Sequence, residues 1–289
     1  MARVLGIGNA TLDIIHQVDR YPRENEEIRC NARVQRFGGN TANTLVVLAQ
    51  LGPECGWAGT LVADAVGRQL ADYLVHQGID ISTAEWFETG SMPVSSVILS
   101  QQSGSRTITH FRDLAEFPVA AFKAIDLHSY DWLHFEGRNV AGVKQMLEQV
   151  RRRAPALRCS LEVEKPREGM ESLFSLVDVL LFSRQYAFSR EFADPLALLR
   201  AVHPSCPDAD LFCAWGEEGA VALDSAGNEY RQAAVSPSRV VDTLGAGDTF
   251  NAGVINGYLE GRAVGEILAA ACLLAGNKCG QDGLENLVR

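Results

Sequence analysis

An alternation of short apolar runs with stretches of helical period constrains this chain more than any other feature. Residues 4–8, 56–61, 132–135, 159–163, 177–182 and 211–215 read as strands. Residues 41–51, 66–77, 140–150 and 195–202 read as helices, and 245–259 and 265–275 read as two small-residue helices. In the second helix Val66, Leu70, Tyr73, Leu74 and Gln77 recur at intervals of three and four, and Gly78 ends it. Strand and helix taking turns predicts an α/β fold, with a mostly parallel central sheet covered on both faces. Two segments break the rhythm. Residues 12–37 and 83–112 alternate apolar and polar positions around charged or polar turns, so each reads as an antiparallel hairpin. Together they predict a small β-sheet lid over one end of a single domain spanning 1–289.

Composition removes several functional classes. A chain of 289 residues with 47% apolar residues can bury a sizeable core, which excludes a disordered protein. A formal charge of −10 argues against a partner with a phosphate backbone, so no nucleic acid is expected. The one basic run, Arg151-Arg152-Arg153, follows an amphipathic stretch and suits a helix C-terminus. No apolar run reaches the roughly 18 residues of a membrane span, so no membrane partner is expected. The seven cysteines form no CxxC pair, which suits reduced thiols in a cytoplasmic protein.

The chemistry gathers in Arg239-Val-Val-Asp-Thr-Leu-Gly-Ala-Gly-Asp-Thr-Phe-Asn-Ala-Gly253. Gly245, Ala246 and Gly247 can turn tightly and leave their N–H groups bare, and the residues after them read as the first turns of a buried helix. A glycine turn opening a helix is an anion cradle. Asp248 sets a carboxylate beside it, a repulsive pairing for pure binding. It suits a base that takes a hydroxyl proton while the N–H groups hold charge on a transferring phosphoryl group. The same residues also suit an ordinary acidic first turn.

Gly38-Gly39-Asn40-Thr41-Ala42-Asn43 precedes another apolar helix. Two amides at i and i+3 can bracket adjacent hydroxyls, although an N-cap with a glycine turn explains the same letters. Asp13 lies among apolar residues, where a carboxylate needs partners such as paired sugar hydroxyls or a salt bridge. Gly216-Glu217-Glu218-Gly219 fits either a ligand loop or a hairpin entry. Gly6-Ile7-Gly8 lacks the third glycine of a dinucleotide fingerprint, and no P-loop or HExxH is present.

In this order the pieces resemble the ribokinase-like (PfkB) carbohydrate kinases, through Gly-Gly-Asn early and Asp-Thr-Leu-Gly-Ala-Gly-Asp late. Within that family the likeness is strongest to the fructokinases that phosphorylate the C1 hydroxyl. It is carried by Glu27-Ile-Arg-Cys30, Ser103-Gly-Ser-Arg-Thr-Ile108, Phe135-Glu-Gly-Arg-Asn139, Glu162-Val-Glu-Lys-Pro-Arg-Glu168, Cys213-Ala-Trp215 and Lys278-Cys-Gly280. The resemblance implies a three-layer sandwich of about nine strands with a β lid that clasps the lid of a second subunit. It implies ATP and Mg²⁺, and a sugar phosphorylated with Asp248 as base and Gly245, Ala246 and Gly247 as anion hole. It places Asp13, Gly39, Asn40, Asn43 and Arg106 on the sugar, and Trp215, Gly216, Gly219, Cys272 and Cys279 around the nucleotide.

The family's Asn-x-x-Glu is replaced here by Ser183-Arg-Gln-Tyr, so metal ligands stay unassigned, with Glu162 and Glu164 as candidates for contacts through water. At a helix N-terminus Asp248 is expected to keep a low pKa. A family kinase for another sugar, sugar acid or nucleoside, or a silent sugar-binding module, fits the same letters. The intact Asp248 and its glycines weigh against the silent module.

Overall fold

The computed structural model describes residues 1–103 and 105–288. Gly104, inside the 103–108 stretch of the likeness, and Arg289 lie outside the described residues. The strands are β1 (Arg3–Ile7), β2 (Thr11–Val18), β3 (Ala32–Gly38), β4 (Glu54–Ala58), β5 (Thr60–Val62), β6 (Ile79–Asp80), β7 (Glu85–Phe87), β8 (Val94–Ser100) and β9 (Arg106–Phe111). They continue with β10 (Trp132–Glu136), β11 (Arg158–Val163), β12 (Val179–Ser183), β13 (Asp210–Ala214), β14 (Ala220–Leu223) and β15 (Glu229–Gln232). The helices are α1 (Asn40–Leu51), α2 (Ala65–His76), α3 (Val119–Ala124), α4 (Val140–Arg153), α5 (Arg184–Ser189), α6 (Pro195–Val202), α7 (Ala246–Leu259) and α8 (Val264–Cys279).

Among the described residues nine strands form the large sheet, in the order β15-β14-β13-β12-β11-β10-β1-β4-β6. It is parallel from β6 to β13, while β14 pairs antiparallel with β13 and β15 antiparallel with β14. Alternate residues of each strand feed two cores. Leu5, Leu133, Phe135, Leu180 and Phe182 pack with α3, α4, α5 and α6 on one face. Val4, Trp132, Val179 and Leu181 pack with α1, α2, α7 and α8 on the other. The result is the expected three-layer sandwich. Strands covered on both faces must be apolar at nearly every position, which is why they were readable in sequence.

The small sheet has the order β3-β2-β8-β9. Each expected hairpin forms, β2 with β3 and β8 with β9, and β2 runs parallel to β8 to join them. The second hairpin is shorter than expected. Glu85–Phe87 instead pairs with β5 in a separate two-stranded sheet, and Thr83 donates its hydroxyl to the Trp57 carbonyl at 3.0 Å. All six residues of β9 are exposed, including Ile108 and Phe111.

Candidate active site

Two helix N-termini meet at the C-terminal ends of the parallel strands, where α/β sheets present their ligand sites. Helix α1 starts after Gly39, whose φ of 111° suits glycine, and α7 starts after Gly245 at φ 80°. A Cβ on Gly39 would lie 2.4 Å from the Asn9 carbonyl oxygen. Neither terminus has a side-chain cap. Asn40 and Asn43 stand three apart on α1, and Asp248 and Asn251 three apart on α7, so each pair shares a face. Asn43 Nδ2 donates to Asp248 Oδ2 at 2.7 Å. Asn40 Nδ2 donates to Glu162 Oε1 and Glu164 Oε2, both at 3.1 Å, and Asn251 Nδ2 to Glu162 Oε1 at 3.2 Å.

Burial dominates the electrostatics. Asp248 is 8% exposed, and burial pushes its carboxyl up to about 7. The Asn43 bond pulls the other way, while Glu164, Glu136 and Asp13 add to the rise. This corrects the expectation of a low pKa. The helix dipole is worth at most about 1–2 kcal/mol, less than burying a charge among other carboxylates costs. Glu162, at the end of β11, is likewise held well above the carboxylate range by burial and by Asp248. Asp13 is raised by burial, with the Ser95 hydroxyl and Arg36 opposing.

The cradle differs in detail from the three amides expected. The Ala246 N–H is turned back to the Thr243 carbonyl at 3.3 Å. A Cβ built on Gly247 would meet nothing within 4 Å, so the open space lies in front of Gly247. Behind the cradle Asp242 is a node of bonds. Its Oδ1 accepts from Leu244 N at 2.9 Å, and its Oδ2 from Lys278 Nζ at 2.9 Å and Arg36 Nη1 at 2.8 Å. Lys278 has no exposed surface and also donates to the Asp242 carbonyl at 2.8 Å.

On the Asn43 side of Asp248 opens a cavity of about 430 Å³, lined in part by Asp13, Arg36, Gly38, Asn43, Tyr73 and Leu284. The structure therefore gathers Asp13 and Asn43 at one opening, whereas Gly39 and Asn40 do not line it, and Asn40 turns to Glu162 and Glu164 instead. It does not bring Arg106 there. Arg106 stands opposite Leu99, and Leu99 opposite Gln17, so it lies two strands over and four positions along from Asp13, roughly 16 Å away. Arg36, which faces Asp13 directly across the β2–β3 ladder, is the guanidinium in the cavity. Sequence reasoning missed it because only strand register reveals it.

The residues expected around a nucleotide are spread wider. Trp215, with Gly216 and Gly219, sits where β13 turns into β14, and Trp215 packs edge-on to Phe188. Gly219 has φ 98°, and a Cβ there would strike the Gln232 carbonyl at 2.0 Å, so the hairpin itself demands glycine. Cys272 is buried in the opposite face of the large sheet from Trp215. Cys279 is half-buried at the end of α8, its carbonyl accepting from Val241 N at 2.8 Å.

Both groups implied for such a site suit these residues. An uncapped helix start with open space at Gly247 is shaped for a phosphate. For a divalent cation, no three His, Cys, Asp or Glu side chains make a ready cage among the described residues. Glu162 Oε2, however, is buried without a hydrogen-bond partner, and Glu164 stands beside it on the same Asn40 amide. Hard carboxylate oxygens in that number suit Mg²⁺, which takes one or two carboxylates and fills its shell with water and phosphate.

A doubly covered parallel sheet, a buried acid at a glycine cradle and a polar cavity beside it define a kinase for small hydroxyl compounds. The chain belongs to the pfkB family of carbohydrate kinases, whose family model matches residues 1–288, and it is a sugar kinase, a phosphotransferase. It is 38% identical to ketohexokinase of Mus musculus over 294 residues, covering 99% of each chain. Among solved structures it resembles a putative ribokinase from Agrobacterium tumefaciens, with TM-score 0.85, 20% identity and coverage of 98% and 92%. It also resembles Arabidopsis thaliana ribokinase complexed with ribose and ATP, with TM-score 0.79, 19% identity and coverage of 98% and 94%. Among the described residues no helix is long and apolar enough to cross a membrane.

Proposed function

We propose that this kinase transfers the γ-phosphoryl group of Mg-ATP to a ketohexose, at the C1 hydroxyl of D-fructose, with Asp248 as base. One observation carries the reading: a buried carboxylate, raised to about 7, follows the open Gly247 position directly and is held by Asn43, which lines a polyol-sized cavity. A base works best with its pKa near the working pH, so the raised value makes Asp248 a better proton acceptor than its helix position alone would. Its ionised form takes the hydroxyl proton at Oδ1, while Asn43 keeps Oδ2 in place. The Gly247 N–H and its neighbours stabilise charge developing on the phosphoryl oxygens. Glu162 and Glu164 would hold Mg²⁺ through water. When bound, Mg-ATP supplies the phosphoryl group and the cation that shields it. The similarity to mouse ketohexokinase supports the choice of sugar.

The small sheet, in this reading, is the lid that shuts water out of the cavity. Its exposed β9, with Ile108 and Phe111 uncovered, suits pairing with a second copy of the chain in a cytoplasmic homodimer. The test is ADP release with Mg-ATP and fructose, ribose, tagatose, ketogluconate or adenosine, with Asp248→Asn as control. Release with fructose that the variant loses is the expected result. Release with another acceptor moves the substrate, and sugar binding without release in any arm defeats the kinase assignment of Asp248.

A further inference from the structure

The cavity wall holds an unusual balance of charge for a pocket that must read a sugar. Four carboxylates, Asp13, Asp242, Asp282 and Glu285, line it against one guanidinium, Arg36. Arg36 faces Asp13 across the β-ladder, beside the group expected to meet the sugar hydroxyls. A free arginine there would be a ready fork for a carboxylate or phosphate. It is not free. Nη1 donates to Asp242 Oδ2 at 2.8 Å and Nη2 to Asp282 Oδ1 at 2.5 Å. The two acids differ in kind. Asp242 is fixed by Lys278, Leu244 and Gly283 as well. The Asp282 side chain is 72% exposed and makes no other hydrogen bond among the described residues.

We infer that Asp282 is an anion screen: by occupying the outer N–H groups of Arg36, it keeps the acceptor pocket for neutral polyols and against sugars bearing a carboxylate or phosphate. Discrimination of this sort comes from what the wrong ligand fails to find, and from the charge it meets instead. The inference rests on the sugar-kinase reading of the cavity. An exposed ion pair contributes little to stability, so a role in selection explains Asp282 better than a role in holding the fold.

The test measures Kd by calorimetry for D-fructose and D-fructose 6-phosphate, which differ only by the phosphate. D-ribose and D-ribose 5-phosphate are run alongside in case the pocket takes a pentose. The proteins are wild type, Asp282→Asn, Arg36→Gln and the double variant. Asp282→Asn is expected to shrink the ratio of phosphorylated-sugar Kd to neutral-sugar Kd at least tenfold. The gain should weaken with added salt and vanish in the double variant, because it runs through Arg36. A ratio within twofold of wild type in Asp282→Asn, with the neutral sugar still bound, overturns the screen alone. So does a gain that survives loss of Arg36. If wild type binds no neutral sugar, the sugar reading of the cavity falls and the screen falls with it.

Discussion

The two sheets divide the work of this molecule unevenly. Strand β12 of the large sheet buries Val179, Leu180, Leu181 and Phe182 between two helical layers, whereas β9 of the small sheet leaves all six residues exposed. Asp248, the proposed base, and Asn251 and Lys278 ride on helices packed against the first. Asp13 and Arg36, which line the cavity, come from the second. Local stability follows buried apolar area, so the large sheet is expected to resist local opening more than the small one.

The strongest way to break this contrast is to attack the buried side. Lys278→Met removes the ammonium from a fully buried contact and leaves the Asp242 carboxylate behind. Because Asp242 keeps Arg36 and the Leu244 and Gly283 N–H groups, the expected loss is about 1.5–3 kcal/mol in denaturant unfolding, and a loss under about 1 kcal/mol would show that the node behind the cradle is dispensable. Next comes Asp248→Asn, expected to lower kcat at least about 100-fold while the protein stays folded. Wild-type kcat/KM should fall as pH drops through about 7, since the base must be ionised. Stability without ligands runs oppositely. A carboxyl raised on folding binds protons more tightly in the native state, so its contribution is full below about pH 4 and fades as pH rises through about 7. Asp248→Asn should flatten that decline in a melting series.

Asn43→Ala links the two regions. It should raise the sugar KM about tenfold and, by removing the bond that lowers the Asp248 pKa, move the acidic limb of the pH profile upward. An unmoved limb would separate sugar binding from tuning of the base. The smallest effect belongs to the exposed strand. Ile108→Lys with Phe111→Lys should change unfolding free energy by no more than about 0.5 kcal/mol, yet convert a dimer to a monomer by light scattering. A protein already monomeric as wild type removes the pairing assignment.

Much of this was legible because burial writes itself into sequence. Strands covered on both faces read as apolar runs, and the Gly-Ala-Gly-Asp turn announces a helix start with a carboxylate inside it. What escaped depended on contacts far apart in the chain. The raised pKa of Asp248 comes first from burial, and then from Glu164, Glu136 and Asp13, which lie far apart in the chain. Arg36 and Arg106 look alike as letters, and only register separates them. Helix α5 hides because its six residues are too few to show a period, and it is the Ser183 hydroxyl, accepting from Tyr186 N at 2.9 Å, that starts it. Strand β7 escaped for the same reason of length.

The wall of the acceptor cavity carries a consequence for biogenesis. Leu284 and Glu285 line it together with Asp13 and Asn43, and the same segment is tied to α1, where Leu287 N donates to Gln50 Oε1 across 237 positions. A ribosome adds about 5–20 residues each second, so Asp13 waits many seconds for its opposite wall. Throughout that interval the cavity lacks one wall, so a ligand that needs all of it is not expected to shift the nascent chain toward its folded form by mass action. Any stabilisation by such a ligand is therefore expected only after synthesis has passed Leu284 and Glu285.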